Sequence, residues 1–410
     1  MDKSENVKFS QSELNIGTLG HVDHGKTTLT KAITGVFTDK HSESIKRSMT
    51  IKLGYADAII RKCENCEGPE AYTTSLKCEN CEGEARPVRR ISLLDAPGHE
   101  MLMATAIAGS NIIDAVLFVI AATEPCPMPQ TKEHLMVMSI LKIKKIIIVQ
   151  TKIDIVGKEK ALAHYKQIKN FVKGTIAEEA PVIPVVASKG INVDVLLEAI
   201  SKIEPPERDI NGEPLMYIAR SFDVNKPGTP IENLIGGVIG GSIAKGKFRK
   251  GEEIEIRPGF DISSDKKREE YKTIITRIES MSTSTGEIEE AIAGGLIAIS
   301  TDMDPAFTKA DSLAGCVAGH VGKLPDMVKE FTMEYHPIER SDIPKQALKE
   351  GEPIILGVGT ATTVGYINLV RKNKVKVTLK HQVCTDKSAK ISVLRNFSQR
   401  WRLTGYGVIS

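Results

Sequence analysis

The feature that most constrains the fold of this chain is a glycine-rich octapeptide between an apolar run and an amphipathic stretch. It reads Gly20-His21-Val22-Asp23-His24-Gly25-Lys26-Thr27 and matches the pattern GxxxxGK[ST]. Residues 14–19 predict a buried strand, and residues 27–34 predict a helix. In that setting the glycines let backbone N–H groups face phosphate oxygens, Lys26 reaches the β- and γ-phosphates, and the Thr27 hydroxyl binds Mg²⁺. The octapeptide therefore predicts a nucleotide-binding α/β domain.

Two further motifs each follow a predicted strand. Asp95-Ala96-Pro97-Gly98 places an acid where it holds a Mg²⁺-bound water, and a glycine whose N–H contacts the γ-phosphate. Thr151-Lys152-Ile153-Asp154 places a carboxylate where it accepts hydrogen bonds from both N1–H and N2–H₂ of guanine, a pair of donors that adenine lacks. The order and spacing of the three motifs predict a GTPase.

The chain changes character near residue 205. Before it, short apolar runs alternate with amphipathic stretches, which is typical of a mostly parallel sheet with helices on both faces. Pro205 and Pro206 end this pattern. Beyond them the periodicity falls toward two and turns recur, which predicts all-β barrels. The expected fold is an α/β P-loop GTPase domain at residues 1–206, with an insert at residues 61–84, followed by β-barrel domains at residues 207–323 and 324–410.

Composition excludes several classes of protein. Hydrophobic residues make up 41% and charged residues 26% of the chain, as in folded soluble proteins. The formal net charge is only +3, so any RNA contact requires a local basic patch. The polar start of the chain does not resemble a signal peptide, and the longest apolar run, residues 115–122, is too short to span a membrane. A cytoplasmic protein without a membrane partner is expected.

Four of the seven cysteines lie in two closely spaced pairs. Cys63-x₂-Cys66 and Cys78-x₂-Cys81 are separated by eleven residues, a pattern that suits tetrahedral Zn²⁺. Disulfide bonds are the alternative, which a reducing cytosol disfavours. Four thiolates leave no open coordination position, so the sequence predicts a structural zinc knuckle.

Several segments resemble known proteins. The octapeptide, the segment Pro97-Gly98-His99-Glu100 and residues 52–56 resemble the translational GTPases. Residues 125–134, 220–228 and 401–407, with the cysteine insert, narrow the resemblance to the gamma subunits of translation initiation factor 2 in their archaeal form. The resemblance implies a GTP-binding domain and two β-barrels, as in elongation factor Tu. It also implies GTP hydrolysis, GTP-dependent carriage of initiator methionyl-tRNA to the small ribosomal subunit, and assembly with alpha and beta subunits.

The resemblance further implies a role for three residues in hydrolysis. His99 positions the hydrolytic water, Lys26 stabilises charge on the phosphates, and Thr50 completes Mg²⁺ coordination when GTP is bound. No residue of the loop matches an arginine finger, so slow intrinsic turnover is expected. The implied magnesium ligands are Thr27, Thr50 and, through water, Asp95, with Asp23 and Ser48 at a second magnesium held by some relatives.

The motifs and the resemblance together define a nucleotide-binding set. Three positions depart from the family pattern: Ser48 replaces a usual glycine, Thr151 replaces an asparagine that bonds both base and phosphate loop, and Val186 replaces a serine hydroxyl near the base. Each lost bond costs about 1–3 kcal/mol if a buried group is left unpaired. We therefore expect guanine to be selected through Asp154, with weaker nucleotide binding than in typical relatives. The set for GTP and GDP is Asp23, His24, Gly25, Lys26, Thr27, Thr28, Gly98, Thr151, Lys152, Asp154, Val186, Ala187 and Ser188.

The sequence alone leaves two interpretations of each candidate RNA contact, and it is compatible with two rival functions. Residues 371–402 hold ten Lys and Arg against one acid, which indicates either a sheet edge protected by lysines or a phosphate-binding stripe. Tyr55 is either half-buried or stacked near the aminoacyl end of tRNA. The rival functions are a carrier of another aminoacyl-tRNA, of elongation or selenocysteine type, and a scaffold subunit with a weakened nucleotide switch.

Overall fold

The computed structural model describes residues 11–38, 54–96, 112–261, 271–338, 343, 346–387 and 389–410. Four residues assigned from the sequence, Ser48, Thr50, Gly98 and His99, lie outside this set. The chain divides into two compact units, Met1–Glu207 and Arg208–Ser410. The three domain boundaries expected from the sequence stay predictions. In the described part of the chain, no helix has the length and apolar character that crossing a bilayer requires.

The first unit is built on a seven-stranded sheet of order β3-β2-β4-β1-β5-β6-β7. Five adjacent strands of the sheet run parallel to one another, and they are β4, β1, β5, β6 and β7. β2 is antiparallel to both β4 and β3. The interior strand β5 is buried along its whole length, as expected for a strand covered on both faces. The prediction of a mostly parallel α/β sheet is confirmed. The strands are β1 Leu14–Leu19, β2 Gly54–Cys63, β3 Tyr72–Thr73, β4 Ala85–Asp95, β5 Ala115–Ala121, β6 Lys145–Thr151 and β7 Val182–Val185.

Amphipathic helices cover this sheet where the apolar spacing predicts them. In the last helix, for example, Val193, Leu196 and Ile200 recur at intervals of three and four and join the core of the sheet. A four-residue helix that carries Asp154 was not predicted, because it is too short to show a periodicity. The described helices of this unit are α1 Lys26–Thr34, α2 Pro129–Leu141, α3 Ile153–Val156, α4 Lys158–Val172 and α5 Val193–Ser201.

Parallel pairing places the three nucleotide motifs at one edge of the sheet. Thr18 near the end of β1 lies opposite Asp95 at the end of β4, and β6 ends at Thr151 beside Ala121 of β5. Because parallel neighbours end on the same side, the octapeptide, Asp95 and the segment after Thr151 converge there.

The cysteine insert extends from an antiparallel pair of strands. β2 and β4 pair from Gly54 opposite Asp95 to Cys63 opposite Ala85. The sequence predicts β4 only at residues 91–94, whereas the strand begins six residues earlier at Ala85. Its outer half carries Arg86 and Arg89, so it does not stand out as an apolar run.

The second unit consists of two antiparallel barrels. In the first barrel, the order is β10-β14-β8-β9-β13-β11, and the barrel closes because β10 also pairs with β11. The short strand β12 pairs with the end of β11. In the second, the closed order is β15-β18-β17-β16-β19-β20. Each barrel encloses its own apolar core, so the prediction of two all-β barrels is confirmed. The strands are β8 Leu215–Phe222, β9 Val238–Arg249, β10 Glu253–Asp261, β11 Tyr271–Thr283, β12 Gly286–Ile288, β13 Glu290–Thr301, β14 Val317–His320, β15 Met327–Pro337, β16 Pro353–Val358, β17 Ala361–Arg371, β18 Lys374–Cys384, β19 Lys390–Phe397 and β20 Arg400–Ile409.

Barrel closure decides one question about the basic segment. β18 lies between β15 and β17, and β20 lies between β15 and β19, so neither strand is a sheet edge. The interpretation of residues 371–402 as a lysine-protected edge is therefore wrong. Part of the charge is compensated locally, since Lys376 Nζ lies 3.0 Å from Glu330 Oε2 on β15.

Candidate nucleotide site and cysteine cluster

The backbone of the octapeptide takes a conformation that needs glycine at two positions. Gly20 has φ +149° and Gly25, which precedes α1, has φ +90°. A Cβ added at Gly20 would overlap with the carbonyl oxygen of Val119 on β5. The loop can therefore lie directly on the end of the sheet only because residue 20 has no side chain.

Four polar contacts attach this loop to the sheet and to α2. The Gly20 N–H donates to His134 Nδ1 at 2.7 Å, and the Thr151 hydroxyl donates to the His24 carbonyl oxygen at 2.6 Å. The His24 ring contacts the Val119 carbonyl oxygen through Nδ1 and Glu124 Oε2 through Nε2, each at 3.2 Å. Burial lowers the pKa of His24 to about 4 and that of His134 to about 3, so both rings are neutral at physiological pH.

The lysine of the motif is buried inside the loop. Its Nζ donates to the Gly20 carbonyl oxygen at 3.0 Å and to the His21 carbonyl oxygen at 2.8 Å. Burial lowers the pKa of Lys26 to about 8, against the opposing effect of the Asp95 and Asp23 carboxylates. Lys26 is therefore mostly protonated at neutral pH and supplies positive charge where the sequence predicts phosphate oxygens.

Asp95 lies at the centre of a group of hydroxyls. Thr27 donates to its Oδ2 at 2.6 Å, Thr38 donates to the same oxygen at 2.8 Å, and Thr18 donates to Oδ1 at 3.0 Å. Burial raises the pKa of Asp95 in spite of these bonds and the nearby Lys26. The site thus brings together the two residues predicted as the carboxylate and hydroxyl ligands, and hard oxygen donors of this kind fit Mg²⁺.

The predicted base-recognition residues lie at the next strand ends. Asp154 is on α3, and its Oδ2 lies 3.0 Å from Lys189 Nζ. The Lys189 contact is the main cause that lowers the pKa of Asp154 below its usual range. Lys189 ends a 3₁₀ turn at Ala187–Lys189, which follows β7 and Val186. Asp23 and Thr28 are exposed on the loop and the start of α1.

The four clustered cysteines converge as the sequence predicts. Their Sγ atoms all lie within 4.8 Å of one another, with Cys63 and Cys81 at 3.4 Å and Cys66 and Cys78 at 3.7 Å. All seven cysteines of the chain are described and none forms a disulfide bond. Tetrahedral zinc with Zn–S bonds of about 2.3 Å requires sulfurs ~3.8 Å apart, so the geometry is compatible with a metal.

Comparisons with known proteins cover nearly the whole chain. The model of the elongation factor Tu GTP-binding domain matches residues 11–206, and the model of the C-terminal domain of initiation factor eIF2 gamma matches residues 329–409. Translation initiation factor 2 subunit gamma of Archaeoglobus fulgidus is 50% identical over 403 residues, which cover 97% of this chain and 94% of that protein. The same subunit of Methanothermobacter thermautotrophicus is 50% identical over 406 residues, 98% of this chain and 99% of that protein.

The chain belongs to the translation initiation factor 2 subunit gamma family.

As a member of this family the chain is a translational GTPase that binds GTP and GDP. Solved structures share its fold. A bacterial selenocysteine-specific elongation factor, EF-Sec, has a TM-score of 0.73 at 25% identity over 97% of this chain and 58% of that chain. Elongation factor SelB from Methanococcus maripaludis, in complex with the GTP analogue GPPNHP, has a TM-score of 0.70 at 22% identity over 98% of this chain and 79% of that chain.

The structure corrects one expectation about how this chain departs from the gamma-subunit family. Thr151 stands where the resemblance implies an asparagine, and loss of the bond to the phosphate loop is expected from that change. The Thr151 hydroxyl makes that bond itself, to the His24 carbonyl oxygen. The expected loss is therefore wrong at the phosphate loop, and it stays a prediction at the base.

Other contact residues carry no sequence signal of their own. Nothing near Thr18 or Thr38 in the sequence indicates that both hydroxyls bind Asp95. His134 lies in a segment that resembles the gamma-subunit family, but nothing in the segment indicates that it contacts residue 20. Glu124 and Lys189 are single charges in loops. Only the packing of distant segments of the chain identifies these residues as part of the site.

Proposed function

We propose that this chain is the GTP-switched subunit of initiation factor 2 that binds initiator methionyl-tRNA and delivers it to the small ribosomal subunit. We further propose that it acts in the cytoplasm together with alpha and beta subunits. The observation that carries the proposal is 50% identity to gamma subunits over 97–98% of the chain, across the GTPase domain and both barrels. Similarity restricted to the GTPase domain would support only a GTPase.

The nucleotide part of the mechanism follows from the loop. Backbone N–H groups at the start of α1 bind the phosphates, and Lys26 exchanges its two carbonyl contacts for the β- and γ-phosphate oxygens. Thr27, Thr50 and, through a water, Asp95 would hold Mg²⁺, with Asp23 and Ser48 at a second magnesium. A bound Mg²⁺ neutralises negative charge on the phosphates. Asp154 accepts from the guanine base, beside Val186, Ala187 and Ser188.

The switch depends on residues outside the described set. In the GTP state Thr50 and Gly98 respond to the γ-phosphate and order two segments, which creates the binding surface for tRNA. His99 orients the hydrolytic water. Since the octapeptide contains no arginine, intrinsic hydrolysis is slow and a partner protein or the ribosome accelerates it.

We also propose that Cys63, Cys66, Cys78 and Cys81 bind a structural Zn²⁺. The support is the convergence of four sulfurs at S–S distances close to those of a tetrahedral site. Four protein ligands leave no position for a substrate.

The proposed function is tested by measuring tRNA binding against nucleotide state. With alpha and beta subunits present, initiator methionyl-tRNA is expected to bind at least tenfold more tightly with a non-hydrolysable GTP analogue than with GDP, because the γ-phosphate orders the binding surface. Filter binding with initiator methionyl-tRNA, elongator methionyl-tRNA and selenocysteinyl-tRNA measures the affinity for each and shows which tRNA is preferred. Equal affinity in the two nucleotide states would identify a scaffold, and preference for another tRNA would identify a different carrier.

A further inference from the structure

The carboxylate assigned to guanine recognition is held by a lysine that no motif contains. Asp154 Oδ2 lies 3.0 Å from Lys189 Nζ, and the side chain of Asp154 is only 27% exposed. This contact is the main cause that lowers the pKa of Asp154, and the carboxylate is ionised at neutral pH with or without it. An ionised carboxylate only accepts hydrogen bonds, which is the form that the two donors of guanine require.

The sheet and a short turn bring this lysine to Asp154. β6 and β7 are parallel neighbours with Thr151 opposite Val185, so the segments that follow them lie side by side. Val186 and Ile191 exchange two backbone hydrogen bonds, of 3.1 and 3.2 Å, and Gly190 between them has φ +70°. The backbone that carries Lys189 is therefore fixed on the side of the site where α3 begins.

A comparison within the chain separates this pair from ordinary surface pairs. Lys202, the residue after α5, and Glu198 on α5 form an ion pair of 2.9 Å, with side-chain exposures of 66% and 22%. Lys189 and Asp154 have nearly the same length and exposures, 3.0 Å, 61% and 27%. Pairs of this kind contribute little to stability. What distinguishes the Lys189 pair is that its acceptor lies in the base-recognition position.

Recognition of guanine requires the Asp154 carboxylate to be held in one orientation. Guanine donates through N1–H and N2–H₂, so both carboxylate oxygens must lie in the plane of the base. The terminal torsion of an aspartate is broad, so an unsupported carboxylate rotates. Lys189 occupies one of about four acceptor positions and leaves acceptor positions on both oxygens. Val186, at the start of the turn, offers no hydroxyl that would do the same.

We propose that Lys189 is a positioning residue that sets the preference of this site for guanine by holding the Asp154 carboxylate in one orientation. The proposal rests on the proposed role of Asp154 in base recognition. It predicts that losing Lys189 affects the discrimination between bases rather than the fold.

The experiment compares GDP with inosine diphosphate, which lacks the 2-amino group, in calorimetric titrations at low salt. In Lys189→Ala, GDP affinity is expected to fall about threefold to fivefold, the upper part of the range for exposed charge pairs, with little change for inosine diphosphate. Lys189→Arg should retain the preference, because guanidinium also donates to the carboxylate. The matched control Lys202→Ala, which removes an equally exposed ion pair, should bind both nucleotides as the unmodified chain does. The difference should shrink at high salt, since the pair is exposed.

The outcomes separate this proposal from the function on which it rests. If Lys189→Ala keeps the same ratio of GDP to inosine diphosphate affinity as Lys202→Ala, the positioning role is overturned. If Asp154→Asn also keeps its preference for guanine, then Asp154 does not read the base and both the site assignment and the proposal fail. Loss of preference in Asp154→Asn and Lys189→Ala, with retention in Lys202→Ala, supports both.

Discussion

At the scale of single residues, the phosphate loop depends on contacts made from outside its own motif. Gly20 is fixed by the backbone of Val119 beneath it and by the ring of His134 beside it. The Gly20 N–H is buried, so its hydrogen bond has no water to replace it. Loop geometry, and with it nucleotide affinity, should be sensitive to the residue at position 134.

We expect His134→Leu to release GDP about tenfold faster or more, because an unpaired buried N–H costs about 1–3 kcal/mol. His134→Asn should release GDP at a rate closer to that of the unmodified protein, since its amide oxygen lies near the position of Nδ1. Because burial lowers the pKa of His134 to about 3, the ring stays neutral and the effect should be the same at pH 6 and pH 8. Stopped-flow displacement of a fluorescent GDP measures these rates.

A control for this prediction is available on α4. His164 is also a buried histidine, and its Nδ1 lies 3.0 Å from Gln150 Nε2 on β6 instead of contacting a residue of the octapeptide. His164→Leu should lower thermal stability without changing GDP release. Equal acceleration in both leucine variants would show that the effect is general destabilisation and not loop positioning.

At the scale of elements, the cysteine insert is attached to a long antiparallel pair. β2 and β4 pair over their whole length, and Cys63 is the last residue of β2. The strands are anchored in the core of the sheet by Ile60, Ile91 and Leu93. This burial does not depend on the cysteines, so the sheet should form without the metal, whereas the short insert has little apolar surface to hold it together.

Zinc removal should therefore unfold the insert and spare the nucleotide site. Cys66→Ser is expected to lower zinc content from about one equivalent to near zero, because three ligands bind structural zinc poorly. GDP affinity should stay within about twofold of the unmodified protein, since the β2–β4 pairing persists. Atomic absorption on protein purified under reducing conditions, hydrogen exchange and GDP titration measure the three quantities.

Cys126→Ser is the matched control, because Cys126 lies outside the cluster. It should keep both zinc and GDP binding. Unmodified protein that contains no zinc would contradict the proposed metal site, and a large loss of GDP affinity in Cys66→Ser would contradict the independence of the insert.

At the scale of the whole molecule, the second unit joins two barrels through polar and apolar contacts. The Tyr271 hydroxyl oxygen on β11 lies 2.8 Å from His381 Nδ1 on β18. The Thr360 hydroxyl donates to the Ile218 carbonyl oxygen at 2.9 Å. Tyr217 packs on a small apolar cluster that draws residues from both barrels. The barrels therefore belong to one compact unit.

The rate of GTP hydrolysis should depend on a partner protein or the ribosome, and on His99. His99→Ala is expected to bind GTP as the unmodified chain does, because the phosphates are bound by the loop and Lys26. Its hydrolysis stimulated by the ribosome or a partner should fall by at least about a hundredfold, since the water is no longer oriented. Single-turnover hydrolysis with and without small ribosomal subunits measures the difference, and normal stimulated turnover would contradict the assignment of His99.

The sequence by itself determined the class of the protein. The phosphate loop, the guanine motif and the paired cysteines are local spacings, and local spacing is enough to predict a phosphate cradle or a tetrahedral set of thiolates. Likewise, the change from helical to strand periodicity near residue 205 predicted an α/β domain followed by barrels.

Tertiary structure decided which other residues complete the sites. His134 lies 114 residues from Gly20, Thr18 lies 77 from Asp95, and Thr151 lies 127 from His24. The two threonine pairs meet because parallel strands end at one edge of the sheet, and His134 meets Gly20 because α2 lies against the loop at that edge. No short segment of the sequence determines the register of the strand pairing. The same reason explains Lys189, which contacts Asp154 only because β6 and β7 are neighbours.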